Sequence, residues 1–341
     1  MAITRERLLE MMTAYRSTYL LRAAVELGLF DALAAGPADD RAVAAALGTS
    51  PRGTRILLRA LVAVGLLDAE GDTYRLPEGG ELLVTTNPGY AGANVKVAAG
   101  DWEWDTMRDL AELVRTGAPA AGPRADGTDC PYWVDFAENL TFVTKSGAAF
   151  LAETLDAGRS DILDVGSGAG LFGYAVAAGH PESRVWSLDG PEVLTVARRH
   201  AARLGLDGRA AYLEGDAFDA PLGGPYDVVV LANLLCQFSR ERSVELLRRL
   251  AGVLRPGGRL AITGFTTGDV PPARAHHAHM LELLMLGWTE GGEVHSTDAY
   301  LSMLAEAGFT GTTVHQRDGL PLRVLVAHRP EQDTEDKGAQ R

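Results

Sequence analysis

Between residues 5 and 33 the apolar side chains Leu8, Leu9, Met12, Tyr15, Leu20, Ala24, Val25, Leu29 and Leu33 recur near helical spacing, which predicts a helix or a helix pair with a wide apolar stripe. A stripe of that width has to be covered by something. Two shorter helical patterns follow. One covers residues 40–47 and is closed by Gly48; the other covers residues 50–64, opened by Ser50-Pro51 and closed by Gly65. Brief strand patterns come next, Leu66-Leu67-Asp68 and Thr73-Tyr74-Arg75-Leu76, around the turn Glu70-Gly71-Asp72. Two helices and a hairpin in this order read as a winged helix. From residue 101 to 155 the pattern is helical again, interrupted at residues 117–127 by Gly, Ala and Pro, which predict a loop.

The period changes after Ser160. Asp161-Ile162-Leu163-Asp164-Val165 reads as a buried strand, followed by Gly166-Ser167-Gly168-Ala169-Gly170 and an apolar helix over 171–178. A second strand, Arg184-Val185-Trp186-Ser187-Leu188, ends at Asp189-Gly190. A third, Ala210-Ala211-Tyr212-Leu213-Glu214, ends at Gly215-Asp216-Ala217-Phe218, and a fourth, residues 226–231, ends at Ala232-Asn233. Further on come a helix over 239–254, the turn Arg255-Pro256-Gly257-Gly258, a strand over 259–264 and a helix over 297–307. Two last strand candidates, 311–315 and 321–328, are close enough to pair antiparallel. The expected fold class is α/β: a Rossmann-like, mostly parallel seven-stranded sheet with an antiparallel last strand, preceded by a helical, winged-helix-like domain. The domain boundaries expected from the pattern are 1–100, linking helices over 101–157, 158–329, and a polar tail over 330–341 without order.

Chemistry gathers at the strand ends. Glycines after the first strand permit a tight turn and let a ligand approach main-chain amides at a helix N-terminus, where partial positive charge suits an anionic group. An acid at Asp189, about 20 residues past the glycines, can accept both hydroxyls of a ribose. Residues 215–218 supply an acid, backbone amides and an aromatic face suited to adenine. Ligands of open parallel sheets bind along such an edge. A nicotinamide enzyme would share it, but the dinucleotide fingerprint needs a third glycine three residues after the second, and Gly168 is followed by Ala169, Gly170 and Leu171.

Composition narrows the partners. A net charge of −13 argues against nucleic acid or an anionic membrane as the dominant partner, so Arg52, Arg55 and Arg59 on the second winged helix read as part of a packing or dimerisation module. No apolar run approaches the ~18–20 residues of a membrane span and the N-terminal stretch does not resemble a secretory signal, which predicts a cytoplasmic protein. Two distant cysteines, Cys130 and Cys236, make no disulfide framework. His276, His277 and His279 lack paired ligand spacing, and no metal is expected. Aromatic residues concentrate before the glycine loop. Trp104, Tyr132, Trp133, Phe136 and Phe142 are read as walls of an aromatic-substrate pocket, with Gln237, Met280 and Met285 completing it.

As a set, Leu163-Asp164-Val165-Gly166-Ser167-Gly168-Ala169-Gly170, Asp189, Gly215-Asp216-Ala217-Phe218 and Leu254-Arg255-Pro256-Gly257-Gly258 resemble the motifs of class I S-adenosylmethionine methyltransferases. With the front domain, the helix before the glycine loop and Leu304-Ala305-Glu306-Ala307-Gly308-Phe309, the chain from about Leu8 to Arg329 is similar to bacterial relatives of the plant-type small-molecule O-methyltransferases. The resemblance implies a homodimer interlocked through the N-terminal helices and S-adenosylmethionine as cofactor. It implies a cofactor site drawn from Asp164, Gly166, Gly168, Asp189, Gly190, Asp216, Ala217, Phe218, Asn233 and Thr144, and phenolic or related metabolites as substrates.

One position departs from that family. Where its members usually carry a histidine base after the fourth strand, this chain reads Asn233-Leu234-Leu235-Cys236-Gln237-Phe238. Candidates for the base are then Cys236 itself, His295 in Gly291-Gly292-Glu293-Val294-His295-Ser296, His279, and more weakly Glu293. Alternatively the acceptor needs no strong base, being an activated carbon or an ionised oxygen aligned by the protein. The expected reaction is O-methylation of a small aromatic metabolite. C-methylation is the runner-up, and a cofactor-binding pseudoenzyme or winged-helix regulator is the reading from another class.

Overall fold

Helix ends in the first hundred residues are set by local signals. In a computed structural model describing residues 3–117, 125, 127, 128, 130–139 and 141–331, with the side chains of 141–143 left aside, Thr4 caps α1 (Arg5–Thr13) by accepting from Arg7 N at 3.2 Å. Next come α2 (Tyr15–Glu26) and α3 (Leu29–Ala34), so the apolar stripe makes three helices rather than one or two. The second break falls at Gly28, whose φ of 71° is left-handed and favours a residue without Cβ. Then follow β1 (Ala38–Asp39), α4 (Asp40–Leu47), α5 (Pro51–Ala63), β2 (Asp68–Glu70), β3 (Thr73–Arg75) and α6 (Gly92–Ala98). Asp39 caps α4 through Ala42 N at 2.8 Å and Ser50 caps α5 through Gly53 N at 3.0 Å. The hairpin begins two residues later than its apolar pattern. It gains a third strand, order β1-β3-β2, because two-residue β1 is too short to show a period.

The apolar stripe is covered only in part within this unit. Ala24, Val25, Leu29, Phe30 and Leu33 join Val43, Leu58, Leu61, Leu67 and Tyr74 in a core. None of α1 is buried, and Leu8, Leu9, Met11 and Met12 are exposed on it.

The chain divides into two units, Met1–Trp104 and Asp105–Arg341, and α7 (Asp101–Arg108) runs across the division. From Asp105 on, the helices expected to link two domains therefore belong to the second unit. They are α8 (Leu110–Thr116), α9 (Tyr132–Asn139) and α10 (Thr141–Leu155). Most of the expected 117–127 loop, and the tail from residue 332, lie outside the described residues.

The alternating part follows as β4 (Asp161–Val165), α11 (Leu171–Ala178), β5 (Arg184–Asp189), α12 (Pro191–Arg203), β6 (Ala210–Glu214), β7 (Tyr226–Ala232) and α13 (Arg240–Val253). The chain continues through β8 (Leu254–Gly264), α14 (His276–Trp288), α15 (Thr297–Glu306), β9 (Thr310–Gln316) and β10 (Arg323–His328). The seven strands are ordered β6-β5-β4-β7-β8-β10-β9; the first five are parallel and β10 runs antiparallel to both of its neighbours. Successive side chains of a strand point to opposite faces, and the two cores obey that rule. Leu163, Val165, Val229 and Leu231 pack with Leu246, Leu250 and Leu304 on one face. Ile162, Val228 and Val230 pack with Leu151, Tyr174 and Leu194 on the other. The turn expected at 255–258 is instead looped out within β8: Leu254 pairs with Tyr226, but Val228 pairs next with Arg259, with Gly257 at a φ of 73°.

Since β6, β5, β4 and β7 are contiguous and parallel, the polar residues that follow them share one edge of the sheet. That placement creates the site.

Candidate functional site

The turn from β4 into α11 is left-handed at Gly166, Gly168 and Gly170, with φ of 64°, 54° and 76°. Gly170 is obligatory for a second reason: a Cβ there would lie 2.2 Å from the ring of Tyr174, which is fully buried. Four amides of this turn are engaged within the protein rather than offered to a ligand. Gly166 N and Ser167 N donate to Leu188 O at 2.9 and 3.1 Å, Gly170 N donates to Ser167 O at 2.8 Å, and Gly168 N donates to Asp189 Oδ2 at 2.8 Å. Asp189 Oδ1 accepts from Gly190 N at 2.7 Å. Burial raises the Asp189 carboxyl above the usual range, opposed by these two N–H groups.

Above this turn opens a cavity of about 1020 Å³, counting its mouth. Of the residues singled out in the sequence, it is lined by Gly166, Gly168, Asp189, Asp216, Ala217, Asn233, Thr144, Trp133, Phe136 and Gln237. Asp216 Oδ1 accepts from Phe218 N at 2.7 Å, closing a small turn on the end of β6. Asn233 has a left-handed φ of 53° and donates its N–H to Thr263 O at 2.8 Å, which turns the chain sharply as it leaves β7. Trp133 Nε1 donates to Ala125 O at 2.7 Å, fixing the ring in the wall.

Other candidates lie off the cavity. Asp164 is one residue short of the strand end and points under α11, accepting from Gly173 N at 2.9 Å. Gly190 is pressed against Thr128, whose carbonyl would sit 2.3 Å from an added Cβ. Phe218 turns away from the cavity, edge-on to Phe238 at 5.0 Å and beneath the Arg242 guanidinium at 3.7 Å. Phe238 takes the wall position instead. Tyr132 is buried against Trp288, at 4.7 Å between ring centroids. Met285 is buried in α14, Met280 on the same helix is exposed, and the Phe142 side chain lies outside the described ones. Trp104 belongs to the first unit, where it packs edge-on to Tyr19 at 5.1 Å.

None of the four base candidates lines the cavity. The Cys236 Sγ–H donates to Asn233 O at 3.4 Å and borders a separate small pocket with Thr263 and Tyr300; burial pushes its thiol up to about 12. A thiol in that state is no base at neutral pH. His295 is 2% exposed, with Nε2 3.2 Å from Phe238 O and its ring edge-on to Tyr300. Because a carbonyl only accepts, Nε2 carries the proton there; the lone pair is then on Nδ1, which lies 3.2 Å from Glu293 Oε1 and off the cavity lining. His279 Nδ1 lies 2.7 Å from Glu282 Oε2 on the same helix, and Glu293 is exposed beside His295 Nδ1. Among the described residues no three His, Cys, Asp or Glu side chains converge as a metal-binding group.

Sequence reasoning passed over Ser167, which lies between two glycines it had marked. Ser167 lines the cavity, is 6% exposed, and its Oγ has no hydrogen-bond partner among the described residues. A buried hydroxyl facing a cavity unpaired is placed for a ligand. Also missed was Arg249 on α13, whose guanidinium donates to the carbonyls of Phe218 and Ala220 and so braces the loop that carries Asp216.

Residues 142–310 match the O-methyltransferase domain family, and residues 9–86 match the O-methyltransferase dimerisation domain. Acetylserotonin O-methyltransferase of Mus musculus is 32% identical over 347 residues, covering 94% of this chain and 88% of that protein. The chain belongs to the S-adenosylmethionine-dependent O-methyltransferases. A second relative of this methyltransferase is the 3-hydroxy-5-methyl-1-naphthoate 3-O-methyltransferase of Streptomyces sahachiroi, 31% identical over 88% of each chain. The crystal structure of human N-acetylserotonin methyltransferase in complex with S-adenosylmethionine matches with a TM-score of 0.81 at 25% identity, covering 96% of this chain and 99% of that one. Among the described residues of the methyltransferase, no helix is long and apolar enough to cross a membrane.

Proposed function

We propose that the cavity at the ends of β4, β5, β6 and β7 holds S-adenosylmethionine, and that the methyltransferase delivers its methyl group to a hydroxyl of a small aromatic metabolite. The observation that carries this reading is the convergence of Asp189, Asp216, Asn233 and the glycine turn on one cavity of about 1020 Å³. These residues fit the cofactor. Gly166 and Gly168 leave the approach to the turn free of Cβ atoms, and Asp189 stands where a ribose diol would be accepted. Asp216 and Ala217 would flank the base, and the unpartnered Ser167 hydroxyl is available to a polar group. When bound, the cofactor supplies an electrophilic methyl on a sulfonium.

Trp133, Phe136, Phe172, Leu234 and Phe238 wall the same cavity, excluding water and offering flat apolar faces to an aromatic acceptor. The two relatives act, by their names, on acetylserotonin and on a hydroxylated naphthoate, which supports a bicyclic hydroxylated aromatic here. Transfer to carbon gains nothing from the comparisons, since the family and these relatives transfer to oxygen.

The exposed apolar side chains of α1, together with the match to a dimerisation domain, support a second copy of the chain as what covers them. Light scattering is expected to give twice the 36.2 kDa chain mass; a monomer at micromolar concentration would refute the dimer. For the reaction, the protein is incubated with methyl-labelled S-adenosylmethionine and a set of hydroxylated naphthoates and indoles, and the label is located by NMR. Label on oxygen supports the reading; label on carbon, or none with any acceptor, contradicts it.

A further inference from the structure

We infer that the acceptor reaches this cavity as the anion of an acidic hydroxyl, such as a vinylogous acid or a phenol on an electron-withdrawing ring, and that none of the described side chains lining the cavity removes its proton. The inference rests on the methyl-transfer reading above and narrows its substrate class. Among the described residues lining the cavity, the ionisable side chains are Asp189 and Asp216. Both oxygens of Asp189 accept backbone N–H groups, and Asp216 holds Phe218 N. Among the described residues, three groups on neighbouring segments that could serve as a base do not line the cavity: Cys236 donates to Asn233 O, His295 holds Nε2 on Phe238 O with Nδ1 beside Glu293, and His279 pairs with Glu282.

An ordinary phenol, with a pKa near ~10, would be harder still to ionise between the rings of Trp133, Phe136 and Phe238, because apolar surroundings disfavour the charged form. A hydroxyl acidic enough to lose its proton to water before entry escapes that obstacle. Its anion is drawn to a sulfonium cation more strongly in an apolar cavity than in water. The acceptor oxygen then uses a lone pair to form the O–C bond as the C–S bond breaks with its electrons to sulfur. Anion and cation become two neutral products, and no proton needs a destination. Gln237, at the Phe238 end of the cavity, carries the amide N–H donors suited to orient such an anion.

The test uses two bicyclic probes of similar shape, 1-naphthol and 4-nitro-1-naphthol, the second an anion at neutral pH. With sinefungin present, a non-transferring analogue that keeps a positive charge near the sulfonium position, the bound nitronaphthol is expected to show the visible absorption of its anion. With S-adenosylmethionine, its ether should form at a rate that does not vary across neutral pH. For 1-naphthol the anion is about 10³-fold scarcer at pH 7, so ether formation is expected to be at least about a hundredfold slower and to rise about tenfold per pH unit. A neutral-form spectrum of the bound probe overturns the inference. So does 1-naphthol turnover that matches the nitronaphthol and inflects near ~6.5, the signature of a histidine base. Cys236→Ala should change neither profile; a loss of nitronaphthol turnover in that variant, with calorimetric binding of S-adenosylhomocysteine retained, also overturns it. Failure of the wild-type protein to bind S-adenosylhomocysteine overturns the methyl-transfer reading and the inference with it.

Discussion

Replacing Asp164 with asparagine changes a single ionisation in the middle of the sheet. Asp164 is 1% exposed on β4, its Oδ2 accepts from Gly173 N at 2.9 Å, and Oδ1 has no partner among the described residues. Burial raises its carboxyl from 3.8 to about 7; the Gly173 N–H pulls the other way, and the nearby Asp189 adds to the rise. Between those two values the native protein holds a proton that the unfolded chain has released, so the free energy of unfolding falls as pH rises. A difference of about 3 pKa units, at about 1.4 kcal/mol each, amounts to about 4 kcal/mol. That stabilisation is complete below about pH 4 and gone above about pH 7. Asparagine keeps the shape and an oxygen for Gly173 N, and it does not ionise. Urea unfolding of Asp164→Asn and wild type at several pH values between 4 and 8 should show a difference near zero at the acid end. At the alkaline end it should reach about 4 kcal/mol in the variant's favour. A difference that stays constant to within about 1 kcal/mol across that range would refute the reasoning.

Gly170→Ala combines a left-handed φ, costing about 1–2 kcal/mol, with displacement of the buried Tyr174 ring from its 3.1 Å hydrogen bond to Ala197 O. Urea unfolding should show a loss of about 3 kcal/mol or more, and a loss under 1 kcal/mol would show that the ring moves freely. Arg249→Ala removes the brace on the Phe218 and Ala220 carbonyls, so calorimetry should find S-adenosylhomocysteine bound about tenfold to a hundredfold more weakly by a protein that still unfolds cooperatively. Unchanged affinity would assign the arginine to stability alone. With its thiol pushed up to about 12 and buried, Cys236 should resist iodoacetamide at pH 8, where a free thiol near ~8.5 has about 10³-fold more thiolate. Rapid labelling of the Cys236 peptide, followed by mass spectrometry, would contradict its placement.

The strands that build the site were legible because each is a short run that gives way to a residue suited to a turn: Gly166, Gly190, Gly215 and Asn233. Local signals that act within four residues, such as the caps Asp39 and Ser50, were legible for the same reason. Helix α14 was not. Its sequence, HHAHMLELLMLGW, is apolar on most sides and shows no clear period. The site was legible in its ends and only in part in its walls, where Trp133, Phe136 and Gln237 line the cavity as read but others do not. Phe218 follows Asp216 by two residues, yet the turn closed by Asp216 points it outward, and Phe238, twenty residues later, fills the wall. The base candidates failed in the same way: where the His295 ring points depends on Phe238 and Tyr300, which no local pattern announces.

If the cavity at the strand ends is the cofactor site, Asp189 in its lining has to contribute to cofactor affinity. Calorimetric titration of S-adenosylhomocysteine into wild type and Asp189→Ala, side by side, addresses it directly. Saturable one-to-one binding per chain to wild type is expected, weakened about a hundredfold or more in the variant by loss of the acceptor and of the bonds that shape Gly168 and Gly190. Equal affinity for the two proteins, or no heat of binding to wild type, would contradict it.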